Sequence, residues 1–419
     1  MLLSSLFRLE PQAVSLRESL GRVLAQEVVA AADIPPFATA AMDGYAVRAA
    51  DTAAAPSHLL LAGTITAGRL ATVRLGPGQA MAITTGAPVP DGADSICRVE
   101  SAQADGLHVV LAAPVAVGEN VRRPGEEVAR NSMVFEASTV VGPAHIGVLA
   151  SFANSEITVY PKARVGVLSV GDELREGTAA LGPGEVRDSN RPALLALAQE
   201  TGCDPVDLGI VPDDASAIGE AIERAAHTCD VVITSGGASV GIADHMKSVL
   251  GRLSGASAQW MEIAMRPGKP FGFAVLADSR TPVLCLPGSP AAAMVSFEMV
   301  ARPALRYMMG HQVLHRAMLE ATAEERLPSA AGSGLRIVRV VARADDSGCL
   351  QVRAAGGQGS YNLRSMALAN ALAFLSDGTG IDAGESVRIA LLDADSLRPA
   401  DPDHRQPLQH RDVANGVVG

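Results

Sequence analysis

From residue 163 to about 308 short apolar runs alternate with amphipathic segments, and this alternation constrains the fold more than any other feature. Val165 to Val170, Val206 to Val211, Val231 to Ser235, Gly272 to Leu276 and Val283 to Leu286 read as strands. Arg191 to Thr201, the segment opened by Asp213-Asp214, Asp244 to Leu253 and Pro290 to Met308 read as helices. Ile218 and Ile222 lie one turn apart on the second of these. Strands apolar along their whole length need cover on both faces, so the pattern predicts a doubly wound, mostly parallel sheet over 163–308.

The flanking regions read differently. Residues 1–162 form a mixed region, with a helix expected over Ser15 to Gln26 from the spacing of Leu16, Leu20, Val23 and Leu24. Leu59 to Leu61, Ala80 to Thr84 and Leu107 to Leu111 read as strands between turn signals such as Gly76-Pro77-Gly78 and Asp105-Gly106. They predict a β lobe inserted at about 45–122. Over 309–393, Leu335 to Arg343, Cys349 to Ala354 and Val387 to Leu392 alternate like half-buried strands of a small β domain. Residues 394–419 read as a disordered tail. The chain is thus expected to be an α/β multidomain protein.

Composition removes several classes. Asp and Glu total 45 against 34 Lys and Arg, a net charge of −11, which argues against a nucleic-acid coat or a polybasic membrane binder. Aromatics are 3%, too few for base-stacking platforms. The five cysteines are far apart with no C-x-x-C, so neither a zinc ribbon nor a redox pair is encoded. The N-terminus lacks a basic n-region, and no apolar run reaches the roughly 18 residues of a membrane span. A cytoplasmic protein without membrane or nucleic-acid partners is expected.

Candidate chemistry collects at strand ends. The strand over Val231 to Ser235 runs into Gly236-Gly237, followed by Ser239, Gly241 and Asp244 at a helix start. Backbone N–H groups in such a loop can approach an anion, and Asp244 can either cap the helix or hold Mg²⁺ against a phosphate. Arg266-Pro-Gly-Lys-Pro270 is a second anion-friendly loop; Arg266 and Lys269 read either as ligands or as solvated charge. Leu286-Pro-Gly-Ser-Pro290 is a third, with Ser289 as candidate cap and Pro290 in the first helical position. Glu173 follows the first strand, and Asp213 or Asp214 is the N-cap after the second. The histidines show no metal-ligand spacing.

Taken in order, these islands resemble the MoeA family, the molybdopterin molybdenumtransferases, which includes the E domain of gephyrin. The motifs are Ala41-Met-Asp-Gly-Tyr-Ala46, Thr85-Gly-Ala-Pro-Val-Pro90, Val121-Arg-Arg-Pro-Gly-Glu-Glu127, Gly171-Asp-Glu-Leu174 and Asp188-Ser-Asn190, then the three loops above. The resemblance implies insertion of molybdate into adenylylated molybdopterin, helped by Mg²⁺, releasing AMP and molybdenum cofactor. It implies a homodimer whose active site draws Asp43, Thr85 and Glu127 from one subunit and Glu173, Asp213 and Asp244 from the other. Asp244 and Glu173 would hold the metal. Arg266, Lys269, Pro287 and Pro290 would line the substrate pocket, with Ser365 as a further substrate contact. The preceding adenylyltransferase and downstream molybdoenzymes or their chaperones are candidate partners. Glu127 stands where many members have Asp, Arg266 where Lys is frequent and Ser289 where Asn is common. Two other readings remain at this point, a molybdopterin adenylyltransferase and a non-catalytic dimeric scaffold of the same fold.

Overall fold

The computed structural model describes residues 2–152, 154–236, 243–255, 257–327, 334–376, 380–393 and 395–397; for Ala243 and Asp244 it describes the helical backbone only. The predicted tail therefore lies almost wholly outside the described residues. The chain divides into two compact units, residues 13–159 and residues 1–12 with 160–419.

In the larger unit a six-stranded sheet has the order Asp204–Val211, Arg164–Val170, Val231–Ser235, Pro282–Leu286, Pro270–Val275, Gln259–Glu262. The first four strands are parallel. Pro270–Val275 and Gln259–Glu262 add antiparallel at one edge, the second of them not expected from the sequence. Both faces are covered. Val165, Val167, Val231, Ile233 and Leu284 pack against Leu194, Phe297 and Leu305 on one side. Leu168, Val170, Val232 and Val283 pack against Ile218, Ile222, Met246 and Leu250 on the other. Leu6 and Leu9 join the first of these cores, so the N-terminal residues pack on the α/β body.

The helix expected over Pro290 to Met308 is continuous but contains a π turn at Phe297–Ala301 between Pro290–Ser296 and Arg302–Met308. Pro303, two residues beyond it, carries no N–H, so the widened turn absorbs a bond the helix cannot make.

The C-terminal strands close on themselves. Leu335–Ala344, Leu350–Ala354, Met318–Ala323, Ser386–Leu391 and Ala371–Leu375 pair in that order, and the last returns to the first. A five-stranded barrel results, filled by Val338, Val340, Ala342, Val352, Leu375 and Ile389. Met265–Arg266, from the loop before Pro270, pairs with its Leu335–Arg336 edge.

In the smaller unit a six-stranded sheet runs Ser95–Arg98, Gly44–Val47, Gln79–Ile83, Ser57–Ile65, His108–Leu111, Ala102–Ala104. It is the expected β lobe. The helix expected over Ser15 to Gln26 does not form: after the strand Gln12–Ser15 the chain makes turns to Gly21 (φ +76°). Val23 and Leu24 then bridge to Val140 and Val159 and are buried, while Leu20 stays 53% exposed. The apolar spacing mimicked a helical stripe, but long-range pairing of two β-branched or bulky residues buries more than the stripe could.

Candidate active site

The strand ends of the central sheet meet at its carboxyl edge, as the parallel order requires. Asn190, first residue of the helix Asn190–Glu200, ties two of them together. Its Nδ2 donates to Ser235 Oγ and to the Gly288 carbonyl, both at 2.7 Å. Asn190 Oδ1 is buried without a partner among the described residues. Gly236 has φ +90°, and a Cβ there would lie 2.6 Å from the Val170 carbonyl oxygen, so only glycine lets this turn close over the first strand.

Beside Asn190 sits a charge network built on a buried Asp188–Arg191 pair. Asp188 accepts from Ser169 Oγ at 3.0 Å and from Arg191 Nε at 3.0 Å. Arg191 also pairs with Asp207 and Glu176. Burial alone would lower the Arg191 pKa, but its bonds to Asp207, Asp188 and Glu176 outweigh this and raise it. The network holds the loop that presents Asn190.

The acids at this edge separate into two roles. Asp214 is the N-cap of Ala215–Ala226, accepting from Ser216 N and Ala217 N at 3.0 and 2.9 Å. Asp213 is left free of that task; its N–H donates to Asp172 Oδ1 at 3.1 Å, and its own Oδ1 is buried with no partner among the described residues. Glu173 is exposed in the turn after Arg164–Val170. Gly237, Ser239 and Gly241 lie outside the described residues, as does the Asp244 side chain, although Asp244 falls in the first turn of Ala243–Leu253.

The cationic loop reaches the same edge because Pro270–Val275 runs antiparallel, so its beginning lies beside the end of Pro282–Leu286. Gly268 (φ +102°) backs onto the helix, where a Cβ would meet Ser296 Oγ at 2.5 Å. Arg266 is exposed and Lys269 Nζ pairs with Glu262 at 2.6 Å. Pro287 is buried and Pro290 opens the helix. The capping expected of Ser289 is not found: its side chain makes no cap bond, and the Ser360 carbonyl accepts from Ala291 N and Ala292 N at 2.9 and 3.3 Å. A loop of the barrel supplies that cap, so those N–H groups are not open to a ligand.

Ser365, expected as a substrate contact, is buried with its hydroxyl engaged on both sides. It donates to the Asn362 carbonyl at 2.7 Å and accepts from Arg339 Nε at 3.0 Å. Arg339 is fully buried, donates to the Gly359 carbonyl at 3.0 Å and keeps Nη1 without a partner among the described residues. Burial, then the neighbouring Arg336, pushes its pKa down to about 10.

In the smaller unit, Thr85 donates to Asp43 Oδ1 twice, from N–H at 2.6 Å and Oγ1 at 2.8 Å. These bonds, the backbone one first, hold the Asp43 carboxyl below the usual carboxylate range. Glu127 is exposed and pairs with Arg122 at 3.0 Å.

Three family models cover most of the chain. "MoeA N-terminal region (domain I and II)" matches residues 1–153, "Probable molybdopterin binding domain" 166–307 and "MoeA C-terminal region (domain IV)" 320–392. Molybdopterin molybdenumtransferase 2 of Mycobacterium tuberculosis is 36% identical over 370 residues, 86% of this chain and 90% of its own. The chain belongs to the MoeA family of molybdopterin molybdenumtransferases. The molybdopterin molybdenumtransferase of Haemophilus influenzae is 32% identical across 91% of this chain and 94% of its own. The crystal structure of the molybdopterin biosynthesis moeA protein from Pyrococcus horikoshii OT3 superposes with a TM-score of 0.79 at 28% identity, covering 93% of this chain and 97% of that one.

Within this MoeA chain, two features escaped the motif reading, one at the sheet edge and one in the barrel. Asn190 was visible as part of Asp188-Ser-Asn190, but its bridging of two loops was not. Arg339 gave no signal beyond a charge within an alternating strand. Among the described residues no three His, Cys, Asp or Glu side chains cluster as a metal site. The orphaned Asp213 oxygen, close to the exposed Glu173 turn through Asp172, is hard-donor chemistry that suits Mg²⁺. No helix among the described residues is long and apolar enough to cross a membrane.

Proposed function

We propose that this protein inserts molybdate into adenylylated molybdopterin, forming molybdenum cofactor and releasing AMP. One observation carries the reading: in a chain of this family, Asp213 with its unpartnered buried carboxylate oxygen and the Arg266–Lys269 loop lie at the same carboxyl edge of the central sheet, beside the end of its first strand and the start of its fifth. Carboxylates there bind metal or move protons, and the cations neutralise a polyanionic substrate.

The assignments are these. Asp43, Glu127, Glu173, Asp213 and Asp244 are the acid–base and metal-binding groups. Arg266 and Lys269 hold oxyanion or phosphate, with Thr85, Pro287, Ser289 and Pro290 shaping the pocket. Asp244 and Glu173 would bind Mg²⁺, which when bound offsets phosphate charge and acts as a Lewis acid. A homodimer, a cytoplasmic setting and domain boundaries near 162, 308 and 393 belong to the same proposal.

The deciding experiment is AMP release from adenylylated molybdopterin, with and without molybdate. Release that depends on molybdate supports the transferase. ATP consumption with molybdopterin, and no molybdate dependence, would replace it with the adenylyltransferase.

A further inference from the structure

A cleft of about 830 Å³ opens on the C-terminal barrel; its lining includes Ser365 but none of the carboxylates discussed above. Its walls include Arg343, Arg353 and Arg364, with Asn362, Gly356 and Gly357. Strand register explains how two of the arginines come together. Arg343 faces Gln351 and Val341 faces Arg353, so Arg343 and Arg353 are diagonal neighbours on one face of the ladder. That face is the outer one, because Val340, Ala342 and Val352 at alternate positions fill the barrel. Arg364 comes from the short helix Leu363–Leu368.

Like charges placed this way repel, and a chain with a net charge of −11 has acids enough to pair them. It does not do so. Among the described residues none of the three guanidiniums forms an ion pair, and Arg353 Nε is buried without a partner. Asp345, the acid nearest Arg343 in sequence, is engaged instead by Ser347, Cys349 and Gln351. Asp393, on the cleft wall, accepts from the Asp395 N–H. No aromatic side chain lines the cleft among the described residues, so nothing there would stack on a base.

Unpaired arginines facing a common space match phosphate oxygens, which each guanidinium can grip with two parallel bonds. We propose that this cleft is a second anion site, binding a small molecule with two or more linked phosphate groups through Arg343, Arg353 and Arg364. A cleft of this volume accommodates a nucleotide-sized ligand. The phosphates could belong to inorganic pyrophosphate or to a nucleotide, and the chemistry of recognition is the same.

The test is calorimetric titration of pyrophosphate, and separately ATP, into the full chain without divalent cation. Three proteins are compared: wild type, Arg343→Gln/Arg353→Gln and Arg266→Ala. The double variant should bind at least tenfold more weakly, while Arg266→Ala retains this binding event. Tighter binding of ATP than of pyrophosphate, with the same arginine dependence, would identify the nucleotide as the source. Hydrogen exchange on the wild-type protein gives a readout independent of variant folding: pyrophosphate should protect 341–343 and 353–357. Unchanged affinity in the double variant, or no protection of those segments, overturns the site.

Discussion

Two acids, Asp43 in the β lobe and Asp213 at the carboxyl edge of the α/β sheet, are expected to serve one reaction yet are held in opposite ways. Asp43 is exposed and braced by both donors of Thr85, which keep it ionised and oriented. Asp213 has a buried oxygen with no partner among the described residues, at an edge where Asp188 and Arg191 by contrast satisfy one another. The contrast teaches that an acid can be prepared by completing its bonds or by withholding them. The first fixes charge and direction; the second leaves an acceptor whose desolvation cost is relieved when a cation or donor arrives.

The largest expected effect tests the charge network that holds the Asn190 loop at the same edge. Arg191→Ala leaves Asp188 buried without its cation and should lower stability by about 3–5 kcal/mol, read by urea denaturation. A loss under about 1 kcal/mol would mean that the network does not hold this edge.

Asp213→Asn addresses the comparison directly. Turnover in the AMP-release assay should fall by about a hundredfold. Stability should stay the same or rise by up to about 1 kcal/mol, since the charge that lacked a partner is gone. Activity and stability falling together would make Asp213 a structural residue and break the contrast.

Gly236→Ala asks whether the turn over the end of Arg164–Val170 tolerates a side chain. The collision with the Val170 carbonyl and the positive φ should together cost about 1–3 kcal/mol, visible as a lowered melting temperature. An unchanged melting temperature would show that the turn relaxes freely.

Thr85→Ala removes one of the two bonds to Asp43 and should have the smallest effect near neutral pH, about threefold or less in kcat/KM. Its signature lies at low pH. A carboxyl with a depressed pKa keeps its ionised-state advantage above the ordinary value and loses it as pH falls through the depressed one. The acid limb of the kcat/KM profile should therefore move to higher pH in the variant. A limb that does not move would detach Asp43 from the reaction.

Much of the edge was legible because strand periodicity and loop composition are local properties. Glu173, Asp213 and the Arg266–Lys269 loop can each be placed at strand ends from the apolar runs beside them, although pattern alone favours a structural part for Glu173 and Asp213. What was not legible depends on residues far apart in sequence. Asp213 and Asp214 are indistinguishable as candidate caps until the helix direction shows that Asp214 takes the cap. Ser289 looks like a cap until the Ser360 carbonyl occupies the helix start. The segment Ser15 to Gln26 carries a helical spacing that pairing with Val140 and Val159 overrides.

The sequence by itself determined the alternation of strand and helix, the β lobe and the place of the site loops at strand ends, since each follows from side-chain spacing within a few residues. Tertiary structure alone decided which polar atoms are satisfied. Arg339 occupies an outward-facing position of its strand, ordinary for a solvated arginine, yet the 357–365 segment folds over it and leaves it buried with an unpartnered nitrogen. Asn190 is a helix-start residue in sequence and a clamp between two loops in space. Burial and hydrogen bonding between distant segments depend on chain closure, and no local pattern encodes which segment will arrive.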